Sequence, residues 1–261
     1  MKPPAFTDGP PVKPLGGKAY GSIGHLPQSR LGQGDWSVHE GQARICLEKP
    51  RKGDRVIVSE KLDGCAVAVA NIGGEIVALT RSGYRTSDVT YEHLKLFGHW
   101  VARNGCAPFD RLLEPGERVC GEWLAMAHGT IYDPAHSGFA PFVAFDLFRG
   151  RNRVLADEFR NRVEAVGLRT AHVIHDGSNA VSIEAVLEAL GPNGFHGAID
   201  PVEGAVWRVE REGRVDFLAK YVRHDKIDGK YFAQITGGAP RWILPPASVF
   251  VEFNLDAGAT S

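Results

Sequence analysis

The residues best suited to chemistry lie in the segment EKLDG, residues 60–64. Lys61 stands between two apolar runs, VIV at 56–58 and AVAVA at 66–70. A lysine amine is a nucleophile only when neutral, and a free lysine titrates near ~10.4, so little neutral amine exists at pH 7. Apolar surroundings and nearby cations lower that pKa, and Gly64 lets a substrate approach the backbone closely. The segment predicts a nucleophilic lysine; the alternative is a strand-end lysine with its ammonium in water.

The same pattern, Lys-x-Asp-Gly, recurs as KIDG at residues 226–229. Polar residues flank this copy, and no predicted strand leads into it. At most one of the two copies is expected to carry the chemistry. We interpret the second as a loop that contacts phosphates, with a solvated charge run as the alternative.

Five further segments follow EKLDG in order. They are TRSG at 80–83, GEW at 121–123, FVAFD at 142–146, EGAV at 203–206 and LAKYVR at 218–223. With EKLDG as motif I, they resemble the arginine-bearing segment and motifs III, IIIa, IV and V of the covalent nucleotidyltransferases. This superfamily contains ATP-dependent DNA ligases, RNA ligases and mRNA capping enzymes. The resemblance extends over about residues 20–230.

Several features favour the RNA ligase branch. DNA ligases and capping enzymes usually continue motif I to an arginine, where this sequence has Ala66, and Arg81 is the candidate replacement. The segments GEWLAMAHGTIYD and YGSIGHLPQSRLG look most like RNA ligases. Only 41 residues follow Lys220, too few for the usual oligonucleotide-binding barrel. We therefore expect an adenylyltransferase domain without a separate barrel.

The resemblance implies a reaction through lysyl-AMP, with ATP as AMP donor and Mg²⁺ or Mn²⁺ as the metal. Lys61 would attack the α-phosphate, and Lys220 would act on the α-phosphate oxygens. The AMP would pass to a 5'-phosphate end, which a 3'-hydroxyl would then join. Metal binding is assigned to Glu203 and Glu122, and nucleotide binding to Glu60, Lys61, Asp63, Gly64, Arg81, Glu122, Phe145 and Lys220. Phe145 and Phe142 face opposite sides of a strand, so one of them is expected in the core. Phe145 is preferred for stacking on adenine from its place before Asp146.

One departure concerns motif V, which usually reads Lys-x-Lys. Here it reads Lys220-Tyr221-Val222, so the second lysine is missing. Either Arg223 or Lys226 compensates by contacting a substrate phosphate, or adenylyl transfer is weaker than in relatives. The sequence leaves these alternatives open.

The expected partners are RNA ends, including nicked duplex, and a separate kinase or phosphatase that prepares those ends. Two other functions stay possible: a DNA nick ligase or other adenylyltransferase, and a relative that binds nucleic acid without catalysis. The basic segments HDKIDGK and RGRNR are candidate phosphate contacts.

Composition sets the broad class. The chain has 30 basic and 31 acidic residues, so no global positive charge indicates nucleic acid and any such binding needs a local patch. Its four cysteines show no zinc-finger spacing, which favours a reduced, cytoplasmic protein. We find neither a membrane-spanning run nor the apolar core of a signal peptide.

The elements that must position these residues are mainly strands. Alternating or continuous apolar runs predict strands at 54–60, 64–71, 75–81, 117–125 and 141–148, with a hairpin over 203–222 that turns at Glu212-Gly213. Helices are expected at 88–103, capped by Asp88, at 155–166, ending at Gly167, and at 183–190, after Ser182. Irregular interleaving of helices and hairpins favours an α+β fold with antiparallel sheets flanked by helices. We predict a flexible tail at 1–18, the adenylyltransferase domain at 19–235 and a C-terminal extension at 236–261.

Overall fold

The computed structural model describes residues 12–103 and 107–246. The strands are β1 (Gly24–His25), β2 (Asp54–Lys61), β3 (Cys65–Ile72), β4 (Glu75–Thr80), β5 (Glu117–Trp123), β6 (Phe142–Arg149), β7 (Asn152–Arg153), β8 (Arg169–Thr170), β9 (Val173–Gly177), β10 (Gly204–Arg211) and β11 (Arg214–Val222). The helices are α1 (Glu40–Leu47), α2 (Glu92–Arg103), α3 (Ala107–Leu112), α4 (Ala156–Ala165), α5 (Ile183–Leu190) and α6 (Ala233–Thr236), with a 3₁₀ turn at Thr86–Asp88.

The strands form two mainly antiparallel sheets. Sheet A has the order β1-β11-β10-β2-β9, in which only the β1–β11 pairing is parallel within the described residues. Sheet B has the order β4-β3-β5-β6-β7, and β8 pairs with β6 in parallel. Strand β2, which ends at Lys61, therefore lies inside sheet A, and strand β3, four residues later, belongs to sheet B.

The hairpin turns follow from residues that accept a positive φ. Glu212 and Gly213 have φ of 51° and 73° and join β10 to β11. Gly73 and Gly74, at 64° and 94°, join β3 to β4. Two successive positive φ values match the right-handed twist of the strands, so both hairpins close in two residues.

The main core fills the space between sheets and helices with apolar side chains. Helix α2 presents Phe97 and Trp100 from one face, because residues three apart lie on the same side of a helix. These rings pack on Trp123 of β5 and Phe142 of β6 at centroid separations between 5.2 and 6.0 Å. The aromatic cluster therefore fixes α2 against the outer face of sheet B.

The predicted α+β class with antiparallel sheets is confirmed, as are the strands at the expected places. The helix expected over 88–103 begins only at Glu92, and Asp88 ends the 3₁₀ turn instead of capping the helix. Ser182 caps α5 as predicted and accepts a hydrogen bond from the backbone N–H of Ala185. The elements that were not predicted are helices α1, α3 and α6 and strands β1, β7, β8 and β9.

The predicted tail and extension lie only partly within the described residues, since 1–11 and 247–261 are outside them. Leu15 packs against a small apolar cluster on sheet B. In the C-terminal segment, Ile243 and Leu244 are buried and donate backbone hydrogen bonds to Ala125. The domain boundaries themselves stay predictions. None of the helices in the described ranges combines the length and apolarity that a membrane span requires.

Candidate active site

A cleft of about 480 Å³ opens between the two sheets. Alternation along the strands determines which side chains reach it: Ile57, Ser59 and Lys61 of β2 line it, whereas Val56 and Val58 lie in the core. From the other strands and loops it receives Arg81, Glu122, Phe145, Glu203, Val206, Arg208, Leu218 and Lys220. Residues from each of the six sequence motifs therefore meet in one cleft.

Lys61 lies among carboxylates at the end of β2. Its Nζ is 2.6 Å from Oε2 of Glu203, and the Lys61 side chain is 22% exposed. Glu122 accepts a hydrogen bond of 3.0 Å from the backbone N–H of Gly64, and so faces the same point from sheet B. Lys61 and the two predicted metal ligands thus form one cluster that joins the sheets.

The charges in this cluster determine its protonation. Burial alone would lower the pKa of Lys61, but the negative charges of Glu203, Glu122 and Asp63 outweigh it and hold that pKa above its usual range. This differs from our expectation of a depressed pKa, because carboxylates and not only apolar strands surround the amine. Burial raises the pKa of Glu122 to about 8 and also raises that of Glu203. Burial thus disfavours the ionised form of both carboxylates. A divalent cation bound between them would stabilise that form, so the pair is suited to hold one.

The second Lys-x-Asp-Gly copy contacts the first. Lys226 is buried, and its Nζ lies 2.6 Å from Oδ2 of Asp63 and close to the hydroxyl of Thr130. Asp63 also accepts a 2.8 Å hydrogen bond from the backbone N–H of Gly129. The structure does not place Lys226 where a substrate phosphate could reach it, because its ammonium is buried and neutralised by Asp63. The two copies thus form one assembly, with Lys226 holding the motif I aspartate.

Gly64 is required by a close contact within the protein. A Cβ at this position would lie 2.5 Å from the carbonyl oxygen of Trp123 and 2.8 Å from a methyl of Leu124. From the sequence, this glycine was expected to let a substrate approach the backbone. In the structure, it is the end of strand β5 that lies close to the glycine.

Lys220 projects into the cleft from β11, beside Leu218 on the same face of the strand. Burial and the nearby charge of Lys61 lower the pKa of Lys220. Its Nζ is 3.6 Å from Oδ1 of Asp35, and the other oxygen of Asp35 lies 3.1 Å from Nε2 of buried His25. His25 and Asp35 were not predicted, because the parallel pairing of β1 with β11 places His25 opposite Lys220 and Asp35 reaches the lysine from the loop that follows β1.

The side of the cleft opposite the charges is largely apolar. Phe145 lines it, and its ring contacts Tyr20 edge-on at 4.9 Å between centroids. Phe142 is buried in the aromatic core, so the two phenylalanines face opposite sides as expected from their spacing. Arg81 borders the cleft and donates a 3.2 Å hydrogen bond to Ser22. Phe145 and Val206 thus line the same cleft from different sheets.

Asp146 of β6 joins the two sheets through its ion pair with Arg208 of β10. Fully buried, it pairs with Arg153 at 2.6 Å and with Arg208 of β10 at 3.0 Å. Arg149 pairs with Glu117 and is likewise occupied. Two arginines of the basic segment RGRNR therefore form ion pairs within the protein. The pairing of Arg153 with buried Asp146 argues against phosphate contact there, whereas Arg149 is 57% exposed and its phosphate contact stays a prediction.

Arg223 lies outside the cleft lining. Its guanidinium forms an ion pair of 2.7 Å with Asp225, two residues along the chain, and has a side-chain exposure of 27%. A solvent-facing ion pair of this kind exchanges partners at little cost. Phosphate contact by Arg223 stays a prediction.

Glu60 is buried and accepts a 2.9 Å hydrogen bond from the backbone N–H of Phe195. Burial raises its pKa from 4.5 to about 7. Its folded-state pKa exceeds the unfolded one, so ionisation opposes folding and stability falls as pH rises from 4.5 to about 7. We expect Glu60→Gln to lack this pH dependence. Compared with the unmodified protein, its free energy of unfolding should therefore rise by on the order of 3 kcal/mol between pH 4.5 and about 7. Urea unfolding of both proteins at several pH values measures it, and parallel pH dependences would contradict it.

The chain is similar to known RNA ligases in sequence and in fold. The sequence model of the family described as RNA ligase matches residues 54–222. Among curated proteins, none matches this chain. An archaeal ATP-dependent RNA ligase is 22% identical, with a TM-score of 0.50 over 76% of this chain and 48% of its own.

Two structures from Naegleria gruberi are also similar. Its RNA ligase with PPi is 16% identical, with a TM-score of 0.49 over 85% of this chain and 61% of its own. A mutant of that ligase with ATP and Mn is 14% identical, with a TM-score of 0.47 over 83% and 62%. The chain spans about half the length of the archaeal ligase and three-fifths of the Naegleria ligase.

The family match covers more than half of the chain, from the start of β2 to the end of β11. It includes the segments that carry Lys61, Glu122, Glu203 and Lys220 into the cleft. The archaeal ligase shares the fold that arranges those strands. This chain belongs to the RNA ligase family.

Proposed function

We propose that this protein is an ATP-dependent RNA ligase that works through lysyl-AMP on Lys61. The observation that carries the proposal is the convergence, in one cleft, of a lysine, two carboxylates and a second lysine from separate family motifs. These are Lys61, Glu122, Glu203 and Lys220. Such a set can neutralise a triphosphate and hold an amine beside it.

The first step joins Lys61 to AMP. Its neutral amine attacks the α-phosphorus, a P–N bond forms, the bond to pyrophosphate breaks and the amine proton is lost. Phe145 and Val206 hold the adenine between them, and Lys220 stabilises charge on the α-phosphate oxygens. Glu203 and Glu122 would hold a divalent cation, Mg²⁺ or Mn²⁺, which supplies positive charge to the phosphates and favours the neutral amine.

The later steps use the same site. The 5'-phosphate oxygen of an RNA end attacks the AMP phosphorus, which releases Lys61 and gives an activated, adenylylated end. A 3'-hydroxyl then attacks the 5'-phosphorus, a phosphodiester forms and AMP leaves. Lys220 can serve each step because each one develops charge on a phosphate near the end of β2.

Incubation with ATP and Mg²⁺ or Mn²⁺ tests the first step. We expect the intact mass to increase by one AMP, with the adduct mapped to Lys61. Sealing of a nicked duplex then tests the substrate, with RNA or DNA on the 3'-hydroxyl side as the matched pair. Faster sealing of DNA would favour a DNA nick ligase, and absence of an adduct with either metal would favour a non-catalytic nucleic-acid-binding protein.

The charge of Lys61 gives a separate prediction. Glu203 holds the pKa of Lys61 high, so in metal-free protein Lys61 is protonated and its reaction with an amine-acylating reagent begins only at high pH. We expect Glu203→Gln to lower that pKa and to move the acylation profile of Lys61 to lower pH. Mass spectrometry of peptides acylated across a pH series measures the profile.

The control is Glu75→Gln, which removes a carboxylate that is exposed and paired with Arg85. Its profile for Lys61 should match that of the unmodified protein. An unchanged profile in Glu203→Gln would show that the ion pair does not control the charge of Lys61.

A further inference from the structure

A cluster of one cysteine and two histidines borders the cleft, next to the carboxylates but composed of different residues. Cys65 begins β3, His93 lies in the first turn of α2 and His128 lies in the segment between β5 and β6. One potential ligand atom of each lies within 4.8 Å of those of the other two. No spacing rule reveals the cluster, because its members come from three elements.

The contacts of these residues leave ligand atoms free. Nε2 of His128 is buried and has no hydrogen-bond partner among the described residues, which is a costly state for a polar atom. The ring of His128 contacts those of His93 and Phe232 edge-on, at 5.7 and 4.7 Å between centroids. The His128 ring is thus held by packing, and its Nε2 has no partner within the described part of the protein.

We propose that Cys65, His93 and His128 bind one Zn²⁺ ion, with a fourth position left to water. Sulfur and imidazole nitrogen are the ligands that Zn²⁺ favours, whereas Mg²⁺ prefers oxygen and belongs with the carboxylates of the same cleft. Bond lengths near 2.3 Å to sulfur and 2.0–2.1 Å to nitrogen put tetrahedral ligand atoms about 3.3–3.7 Å apart. Modest side-chain rotations close the remaining difference.

Binding forms one Zn–S and two Zn–N bonds and releases the Cys65 thiol proton to solvent. Burial lowers the pKa of both histidines, which keeps the imidazoles neutral and able to coordinate. Burial also raises the pKa of the Cys65 thiol to about 12, so without a cation this cysteine is a poor nucleophile. Cys65 and His128 line the cleft, which gives the ion a route from solvent.

Cobalt substitution tests the site directly. Tag-free, metal-free protein is titrated with Co²⁺ in excess Mg²⁺, which occupies oxygen sites. We expect one equivalent of Co²⁺ to produce the near-ultraviolet charge-transfer band of a thiolate ligand, and Zn²⁺ to displace it. Absence of that band in the unmodified protein overturns the proposal.

Substitutions assign the ligands. Cys65→Ala should abolish the charge-transfer band, and His93→Gln and His128→Ala should each weaken Zn²⁺ binding by about tenfold or more. His99→Gln, a second histidine of α2 outside the cluster, is the matched control and should bind as the unmodified protein does. Cys65→Ala protein that keeps the band and the affinity overturns the proposal.

A measurement on the unmodified protein tests the site even where the variants fail to fold. Zn²⁺ should slow alkylation of Cys65, followed by peptide mass spectrometry, and should raise the thermal unfolding midpoint because the ion binds only the folded state. Equal alkylation of Cys65 with and without Zn²⁺ overturns the proposal. None of these measurements uses ATP or RNA, so their outcome is independent of ligase activity.

Discussion

Lys61→Ala is expected to abolish the covalent AMP adduct. The variant lacks the amine that forms the P–N bond, and no other lysine can replace it at the end of β2. Lys220 approaches from β11 and Lys226 is engaged by Asp63. Intact-mass spectrometry after incubation with ATP and Mg²⁺ measures the adduct, and we expect less than about 10⁻³ of the unmodified rate, as is typical when a nucleophile is removed.

Two variants control for structure and for charge. Lys61→Arg keeps a cation beside Glu203 but cannot form lysyl-AMP, so it should fold and remain inactive. Lys230→Ala removes an exposed lysine paired with Asp200 and should form the adduct normally. Full adduct on Lys61→Ala protein, or its loss only in Lys226→Ala, would show that the order of motifs has been misassigned.

Lys220→Ala should slow adduct formation by about 10²–10³-fold, the usual cost of removing one preorganised charge from a phosphoryl-transfer site. Lys220 is largely screened from water, and the position of the second motif V lysine, two residues along the strand, is occupied by buried Val222. It therefore supplies, from this strand, the positive charge that relatives with Lys-x-Lys divide between two lysines. Single-turnover kinetics with saturating ATP measure the effect on the chemical step.

Lys220→Arg tests position against charge. It should recover part of the rate, because guanidinium carries the same charge in a wider group that Asp35 can still contact. A Lys220→Ala rate within a few-fold of the unmodified rate would mean that another cation, with Arg81 the nearest candidate in the cleft, stabilises the phosphate instead.

The longer strands were predictable because their apolar runs, bounded by turn residues, are typical of buried strands. Helix α1 was missed because its cap is His39, which accepts from the backbone of Gly41, and histidine is not among the usual capping residues. The short helix α3 contains a proline, Pro108, and six residues give too little periodicity to recognise. Strand β9 has half-exposed residues and acquires its identity only from pairing with β2.

The site was predictable where motifs name its residues and unpredictable where contacts cross the chain. The convergence of Lys61, Glu122, Glu203 and Lys220 follows the family pattern. The role of Lys226 does not, because its charge is satisfied by Asp63 at a sequence distance that no local pattern encodes. The high pKa of Lys61 was not predicted for the same reason. The carboxylates that raise it come mainly from other strands, whereas the sequence shows only the apolar residues beside the lysine.

The strand order of sheet A has a consequence for protein synthesis. β2 lies between β9 and β10, so both of its partners are translated long after it, the first beginning at Val173. At about 5–20 residues per second, the nascent chain carries this apolar strand with both edges unpaired for on the order of ten seconds. A ribosome stalled in that interval would display an aggregation-prone edge, and the cleft cannot assemble until β11 has emerged. The nucleophile is thus made well before the strands that complete its site, the last of which is β11.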